Sequence, residues 1–409
     1  MKYILVIGDG MADNPVQALG GLTPLEKANI PTIDRLASHG ELGSVLTVPA
    51  DFPPGSDTAI LSIFGCAPAK CYSGRAPLEA AAQGIALKPG DAAFRCNNIS
   101  VSDEDCPFEE KKLLSHSGGQ IEGTESQKLV DWLFTQPEFK VLADKAGMCV
   151  NTTESYRHIA VQSAVDITGL RLNPPHDNIG KTVAETRPTG CTDADVLMEL
   201  MRKANELLDH HPVNEQRRKE GKLPANAIWF WAEGTVAALP NFYEQYGHHG
   251  AVISAVPLCH GIATLTGLDV IYVDGATGEL DTNFEGKVAA AIDAINRYDF
   301  VAVHLEAPDE CTHNNDLPGK LQAIEWLDSR IIAPIVEDLE SKGTDFRMLI
   351  LSDHKTLMES LQHDGDPVPY ILYDSTVDTE AGMGYTEANG RKGPYVGAGT
   401  DLMPRLFSK

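Results

Sequence analysis

Short uninterrupted apolar runs punctuate the chain: YILVIGDG (3–10), VISAV (252–256), LDVIYVDG (268–275), DFVAVHL (299–305) and RMLIL (347–351). Runs of this length, rich in β-branched residues and lacking polar alternation, are expected of strands buried on both faces of a parallel sheet. Between them, EGKVAAAIDAINRY (285–298) and GKLQAIEWLDSRIIAPIVEDLESK (319–342) repeat apolar residues at helical spacing. Strand and helix in alternation predict an α/β fold with a mostly parallel sheet sandwiched by helices. Ligands of such sheets gather beyond the carboxyl ends of the strands. Asp9, Asp309, Asp353 and His354 fall at such ends.

The rhythm weakens in the middle. Polar stretches such as SVSDEDCPFEEKK (100–112) and HHPVNEQRRKEGKLP (210–224) interrupt it. This pattern predicts a smaller α/β or α+β domain, 81–249, inserted into a catalytic domain made of 1–80 and 250–409. AIWFWAEG (227–234) reads as a buried strand of the insertion, carrying Trp229 and Trp231.

Charge narrows the partners. The 409 residues hold 58 acidic and 33 basic side chains, a net charge of −25. So acidic a chain repels nucleic acid and anionic membrane surfaces, and neither is an expected partner. Nothing approaches the ~20 apolar residues of a membrane span. The eight cysteines are scattered, with no CxxC pair, and no leader-type segment is evident. Reduced thiols in a cytoplasm are therefore expected. Oligomeric state is left open.

Four stretches carry candidate chemistry. GDG places Asp9 between glycines, where an ion or phosphate can approach the backbone. PPGSDTAILSIFG (53–65) puts Ser56 at the opening of a helix, either as a plain N-cap or as a hydroxyl beside N–H groups that suit a phosphate. APDECTHNND (307–316) spaces Asp309 and His313 four apart, on one side of a helical turn or in a solvated loop. LSDH followed by QHDGDP adds Asp353, His354 and His363. These donors are oxygen and imidazole, with no thiolate, a set suited to Mn²⁺, Zn²⁺ or Mg²⁺. Seven donors exceed the needs of one catalytic ion. They suit two ions about 3.5–4 Å apart, as in phosphoryl transfer.

Strand-GDG, PPGSDTA, APDExxxH, SDH and the His before DPVP resemble the alkaline phosphatase superfamily. More closely, the chain is similar to the cofactor-independent phosphoglycerate mutases of archaeal type. FRCN (94–97), YRH (156–158), PPHDxxGK (174–181), GAVISAV (250–256) and GATGxxDTNFEGK (275–287) extend the likeness over nearly the whole chain. The resemblance implies two divalent ions, Mn²⁺ first and otherwise Zn²⁺, Co²⁺ or Mg²⁺, with no bisphosphoglycerate. It assigns Asp9, Ser56, Asp353 and His354 to one ion, and Asp309, His313 and His363 to the other. Ser56 is then the nucleophile and forms a phosphoserine. The expected substrate is a small phosphorylated carboxylate. Arg95, Arg157 and His158 are candidate catalytic and substrate contacts, because guanidinium forks match carboxylate and phosphate. His176, Asp177 and Lys287 are further candidates.

One position departs from the family pattern. In SGGQIEGTES (117–126), Gln120 stands where a His is usual, and His116 is nearby. Gln retains a hydrogen bond but cannot carry the proton, so Gln120 joins the substrate-binding candidates. The departure leaves open a related phosphotransferase or phosphohydrolase, such as a homoserine kinase. A metal-binding protein without activity is the third reading, and it would not need a serine among the ligands. No GxxxxGK[ST] loop is present, and GDGMAD lacks the third glycine of a dinucleotide fingerprint.

Overall fold

β1 (Lys2–Gly8) pairs in parallel with β10 (Phe300–Leu305) on one side and β11 (Phe346–Leu351) on the other. The computed structural model describes the chain apart from residues 378, 380, 381 and 409. Beyond β10 the sheet continues in parallel through β8 (Gly250–Ile253) to β9 (Asp269–Ile271). Beyond β11 it runs antiparallel to β14 (Val368–Asp374), then to β2 (Glu41–Val45), and ends on the short parallel β15 (Tyr395–Val396). Ile4 to Ile7 and Met348 to Leu351 are buried along their whole length, which is why these strands read as unbroken apolar runs.

The expected helices form at Phe284–Arg297 and from Leu317 to Ser341. The latter is interrupted by a wide π-type turn at Leu327–Ile332. Pro334 follows that turn. A proline lacks the N–H for an ordinary helical bond and crowds the carbonyl four residues back, and the wider turn accommodates both.

The chain forms two compact units, Met1–Tyr72 with Ala238–Lys409, and Ser73–Ala237. Both crossings come earlier than the expected 80/81 and 249/250. The helix Arg75–Ala82 packs Ala76 and Ala80 against Ala93, Ile159 and Val161 of the inserted sheet. Residues just past 237 belong to the first unit, where Phe242 stacks on Phe300 at 4.9 Å.

The inserted unit is built on an antiparallel sheet. β3 (Ala92–Val101) pairs with β4 (Leu113–Ser115), β6 (Arg157–Gln162) and β7 (Ala227–Thr235), and β5 (Met148–Asn151) extends it from β6. Helices Gly123–Thr135 and Asp193–Leu208 contribute to its core with Phe94, Trp229 and Phe230. The expected buried strand is thus present, with Trp229 1% and Trp231 7% exposed. Among the described residues no helix is long and apolar enough to cross a membrane.

Candidate active site

Three neighbouring parallel strands converge at their carboxyl ends. β11, β1 and β10 are adjacent in that order, and Asp353, Asp9 and Asp309 follow them in sequence. Gly10 makes the approach possible. Its φ is +60°, and a Cβ there would meet Asp309 Oδ1 at 2.6 Å. Asp309 and His313 share one face of the helix Ala307–His313, with His313 Nε2 3.1 Å from Asp309 Oδ2. His363 comes from the hairpin of β12 (Lys355–Leu357) and β13 (Gln362–Asp364), and its Nε2 lies 3.4 Å from Asp309 Oδ1.

Ser56 is the first residue of the helix Ser56–Ile63. Gly55 is its N-cap, and no side chain makes a capping bond. The serine hydroxyl therefore does not cap. Its Oγ lies 3.3 Å from Asp9 Oδ2 and 3.1 Å from His354 Nε2. His354 Nε2 is also 3.3 Å from Asp353 Oδ2.

This donor set suits divalent cations. Asp9 Oδ1 and Asp353 Oδ2 are buried and accept no hydrogen bond from any described residue. A buried, unsatisfied carboxylate oxygen is costly unless a cation meets it. Burial, reinforced by Asp353 and Asp309, pushes the Asp9 carboxyl well above its ordinary range. Burial also opposes ionisation of Asp309, but hydrogen bonds from His313 and His363 outweigh it and hold that carboxyl well below its ordinary range. The bond to Asp309 raises His313 to about 9. The Nε2 atoms of His313 and His363 are only 2.9 Å apart. Two imidazole nitrogens that close need a shared proton or a shared ion. Among the described residues, two groupings have donor atoms within 4.8 Å of one another: Asp309, His313 and His363, and Asp9, Asp309 and His354. Asp309 belongs to both, whereas the expected split gave it to one ion.

A second cluster lies within the inserted unit. Arg95 directs its fork at Glu79, with Nε 2.8 Å from Oε2 and Nη2 bonded to Oε1. Its Cζ sits 4.6 Å from the Trp231 ring centroid. Burial opposes ionisation of Glu79, yet Arg95 draws its pKa down to about 2. Arg157 lies between Tyr156 and Trp231, at 5.3 and 5.9 Å. Its Nε is buried without a hydrogen-bond partner among the described residues. The His176 ring is 5.2 Å from Trp231 and 6.1 Å from His116. Burial lowers the pKa of both histidines, and Arg157 lowers each further. The cluster thus offers one guanidinium and two imidazoles held towards neutrality.

A family model described as 2,3-bisphosphoglycerate-independent phosphoglycerate mutase matches residues 37–214. A protein of that name from Methanosarcina acetivorans is 42% identical over 397 residues, covering 97% of this chain and 96% of its own. This chain belongs to the bisphosphoglycerate-independent phosphoglycerate mutase family. Among solved structures, a Pyrococcus horikoshii protein is similar with a TM-score of 0.78 and 32% identity, covering 99% of this chain and 96% of its own. A cofactor-independent phosphoglycerate mutase from Thermoplasma acidophilum is similar with a TM-score of 0.65 and 27% identity, over 99% of both chains.

In this member of the mutase family, several expected substrate contacts are placed otherwise. His158 is wholly buried. Its Nδ1 accepts from Thr153 N at 3.0 Å, so Nε2 carries the proton and donates to Asn98 Oδ1 at 2.9 Å. Neither ring nitrogen is left for a ligand, and burial lowers its pKa to about 4. Arg95 is 3% exposed and committed to Glu79. Lys287 lies in the first unit on the helix Phe284–Arg297, buried, with Nζ 3.3 Å from the His304 carbonyl. Its surroundings mark it as an interior cation. Gln120 is exposed on a turn at φ 58°, and Asp177 is exposed 3.7 Å from His176.

Other residues touching the acidic centre escaped the sequence reading. His304 bonds Asp9 Oδ2 through Nε2 at 3.0 Å and Ser254 Oγ through Nδ1 at 3.1 Å. Thr356 donates to Asp309 Oδ1. His304 sits inside an apolar run, and its one visible signal is its place near the carboxyl end of a strand. Thr356 carries no signal.

Proposed function

We propose that this chain interconverts 3-phosphoglycerate and 2-phosphoglycerate through a phosphoserine at Ser56, in the cytoplasm and without bisphosphoglycerate. The observation that carries this reading is a serine hydroxyl that caps nothing and faces Asp9 and His354 beside orphaned carboxylate oxygens. Asp9, Ser56, Asp353 and His354 would hold one divalent cation. Asp309, His313 and His363 would hold the other, with Mn²⁺ the first choice before Zn²⁺, Co²⁺ or Mg²⁺. Such cations supply positive charge that favours the ionised serine hydroxyl and neutralises phosphoryl oxygens.

The chain's own groups account for the rest. Ser56 Oγ gives up its proton and bonds to phosphorus. The bond from phosphorus to the 3-oxygen of glycerate breaks, and that oxygen takes a proton. The 2-hydroxyl then loses its proton and attacks the phosphoserine, and Ser56 recovers a proton as its bond to phosphorus breaks. No water is consumed, so water must be kept from the phosphoserine. The inserted unit, 73–237, serves as the substrate-binding part. Arg157 offers charged donors to carboxylate or phosphate, and His116 and His176 offer neutral ones. Glu79 keeps Arg95 as an interior support beneath Trp231.

The test is interconversion of the two phosphoglycerates by metal-reconstituted protein without bisphosphoglycerate, with Ser56→Ala alongside. Turnover that disappears in the variant supports the reading. Absence of turnover in protein shown to hold two ions would remove it, and homoserine with ATP and small phosphate esters would be assayed next.

A further inference from the structure

The turn that presents Ser56 has little backbone to hold it. It reads Phe52-Pro53-Pro54-Gly55-Ser56-Asp57, and its two prolines have no N–H to donate. Outside the bonds of the helix itself, the backbone bonds here are Phe52 N to Pro49 O and Ala59 N to Gly55 O, and the Thr58 hydroxyl donates to the Gly55 carbonyl at 3.1 Å. The helix cap is a glycine and offers no side chain. Yet an attacking oxygen must be held to a fraction of an ångström for in-line transfer.

Tyr72 grips this turn from both sides. Its hydroxyl donates to Asp57 Oδ2, on the residue directly after Ser56. Asp57 Oδ1 in turn accepts from Thr58 N at 2.9 Å, which fixes the carboxylate on the first turn of the helix. The Tyr72 ring meets Phe52 edge-on at 6.1 Å, on the residue that leads into the two prolines. Tyr72 is also the last residue of the first unit before the chain enters the insertion.

We propose that Tyr72 is a positioning residue for the Ser56 hydroxyl, acting through Asp57 and Phe52; this rests on Ser56 being the nucleophile. The role of Tyr72 is exerted on the residues that flank Ser56, through the hydroxyl bond to Asp57 and the ring contact with Phe52. Tyr72 holds the two flanks of a turn whose proline side has few backbone ties.

The experiment compares the full, metal-loaded chain with Tyr72→Phe, Asp57→Asn and the double variant, and with Ser56→Ala. kcat and KM for 3-phosphoglycerate are measured along with melting temperature. Tyr72→Phe keeps the ring contact and loses only the hydroxyl bond. The expected result is a kcat lower by about ten-fold with KM within about two-fold, the signature of a misplaced nucleophile. Melting should be unchanged, and the double variant should lose no more than Asp57→Asn alone, because the two groups act as one. A kcat within about two-fold of the parent overturns the proposal. So does a loss that tracks a lowered melting temperature, a loss confined to KM, or additive losses in the double variant. If Ser56→Ala retains turnover, the nucleophile reading itself falls. If Ser56→Ala is inert while Tyr72→Phe is normal, only the positioning role falls.

Discussion

Ser56 Oγ lies 3.1 Å from His354 Nε2, across 298 residues of sequence. The pair meets because a helix N-terminus faces the end of β11. The hydroxyl makes no capping bond, so its removal leaves no orphaned helix donor. Ser56→Ala should therefore abolish phosphoglycerate interconversion while changing the stability of the metal-free chain by less than about 0.5 kcal/mol. Activity of the metal-loaded protein and thermal melting of the metal-free protein check the two halves. A large drop in melting temperature would show that the serine is structural after all.

Chelation should lower stability. Asp9, Asp309 and Asp353 are buried together, and two of their oxygens lack hydrogen bonds among the described residues. An ion that binds only the folded chain stabilises it by about 2.7 kcal/mol at a hundred-fold excess over Kd. Melting temperature should fall on dialysis against a chelator and recover with added Mn²⁺. Asp353→Asn should blunt that recovery.

Arg157 should govern substrate affinity. Its buried Nε has no partner among the described residues, and its Nη2 donates to the neighbouring Tyr156 hydroxyl at 3.1 Å, so Arg157→Ala removes one local hydrogen bond and the ring contacts. Loss of a charged hydrogen bond to a ligand corresponds to roughly ten- to hundred-fold in affinity. KM for 3-phosphoglycerate should rise on that scale, with melting nearly unchanged. An unaltered KM would remove Arg157 from the substrate site.

Glu79 and Arg95 should be inseparable. Glu79→Ala strands a guanidinium that is 3% exposed, and breaking a buried pair costs about 3–5 kcal/mol. The pair also has a pH signature. The Glu79 pKa is about 2 in the fold against an ordinary 4.5, so its contribution is complete above pH 4.5 and is lost as pH falls towards 2. Acid unfolding of Glu79→Gln should be correspondingly shallower in that window.

His158 gives a second, separate window. Its pKa is about 4 in the fold against an ordinary 6.5. The unfolded chain takes up the proton first, so stability is full above pH 6.5 and declines as pH drops towards 4. Tryptophan fluorescence can follow this, since Trp132, Trp229 and Trp231 all lie in the inserted unit. A denaturation midpoint flat between pH 6.5 and 4 would contradict the buried, neutral imidazole.

The strands β1, β8, β10 and β11 were legible because burial on both faces writes itself as an uninterrupted apolar run, as at Ile4 to Ile7, whereas β2, β14 and β15 of the same sheet were not read from the sequence. The donors Asp9, Asp309, Asp353 and His354 were legible for a related reason: strand ends are where a parallel sheet exposes chemistry. Local spacing also placed Asp309 and His313 on one helical face, and they are 3.1 Å apart. Periodicity and residue type are properties of a short segment, and a segment displays them in any context.

Contact across the chain is different. That β11, β1 and β10 lie side by side is a fact of strand order, and nothing local to any one of them encodes it. His304 reaches Asp9 and Thr356 reaches Asp309 only because of that order and the hairpin beyond it. The same distinction separates Arg157 from its neighbour His158. Successive residues of a strand point to opposite faces. Arg157 joins Tyr156 and Trp231, while His158 is enclosed by Asn98, Ser126 and Thr153. Residue type marked both as binding candidates. Which one keeps a free donor depended on what the fold packed against each face.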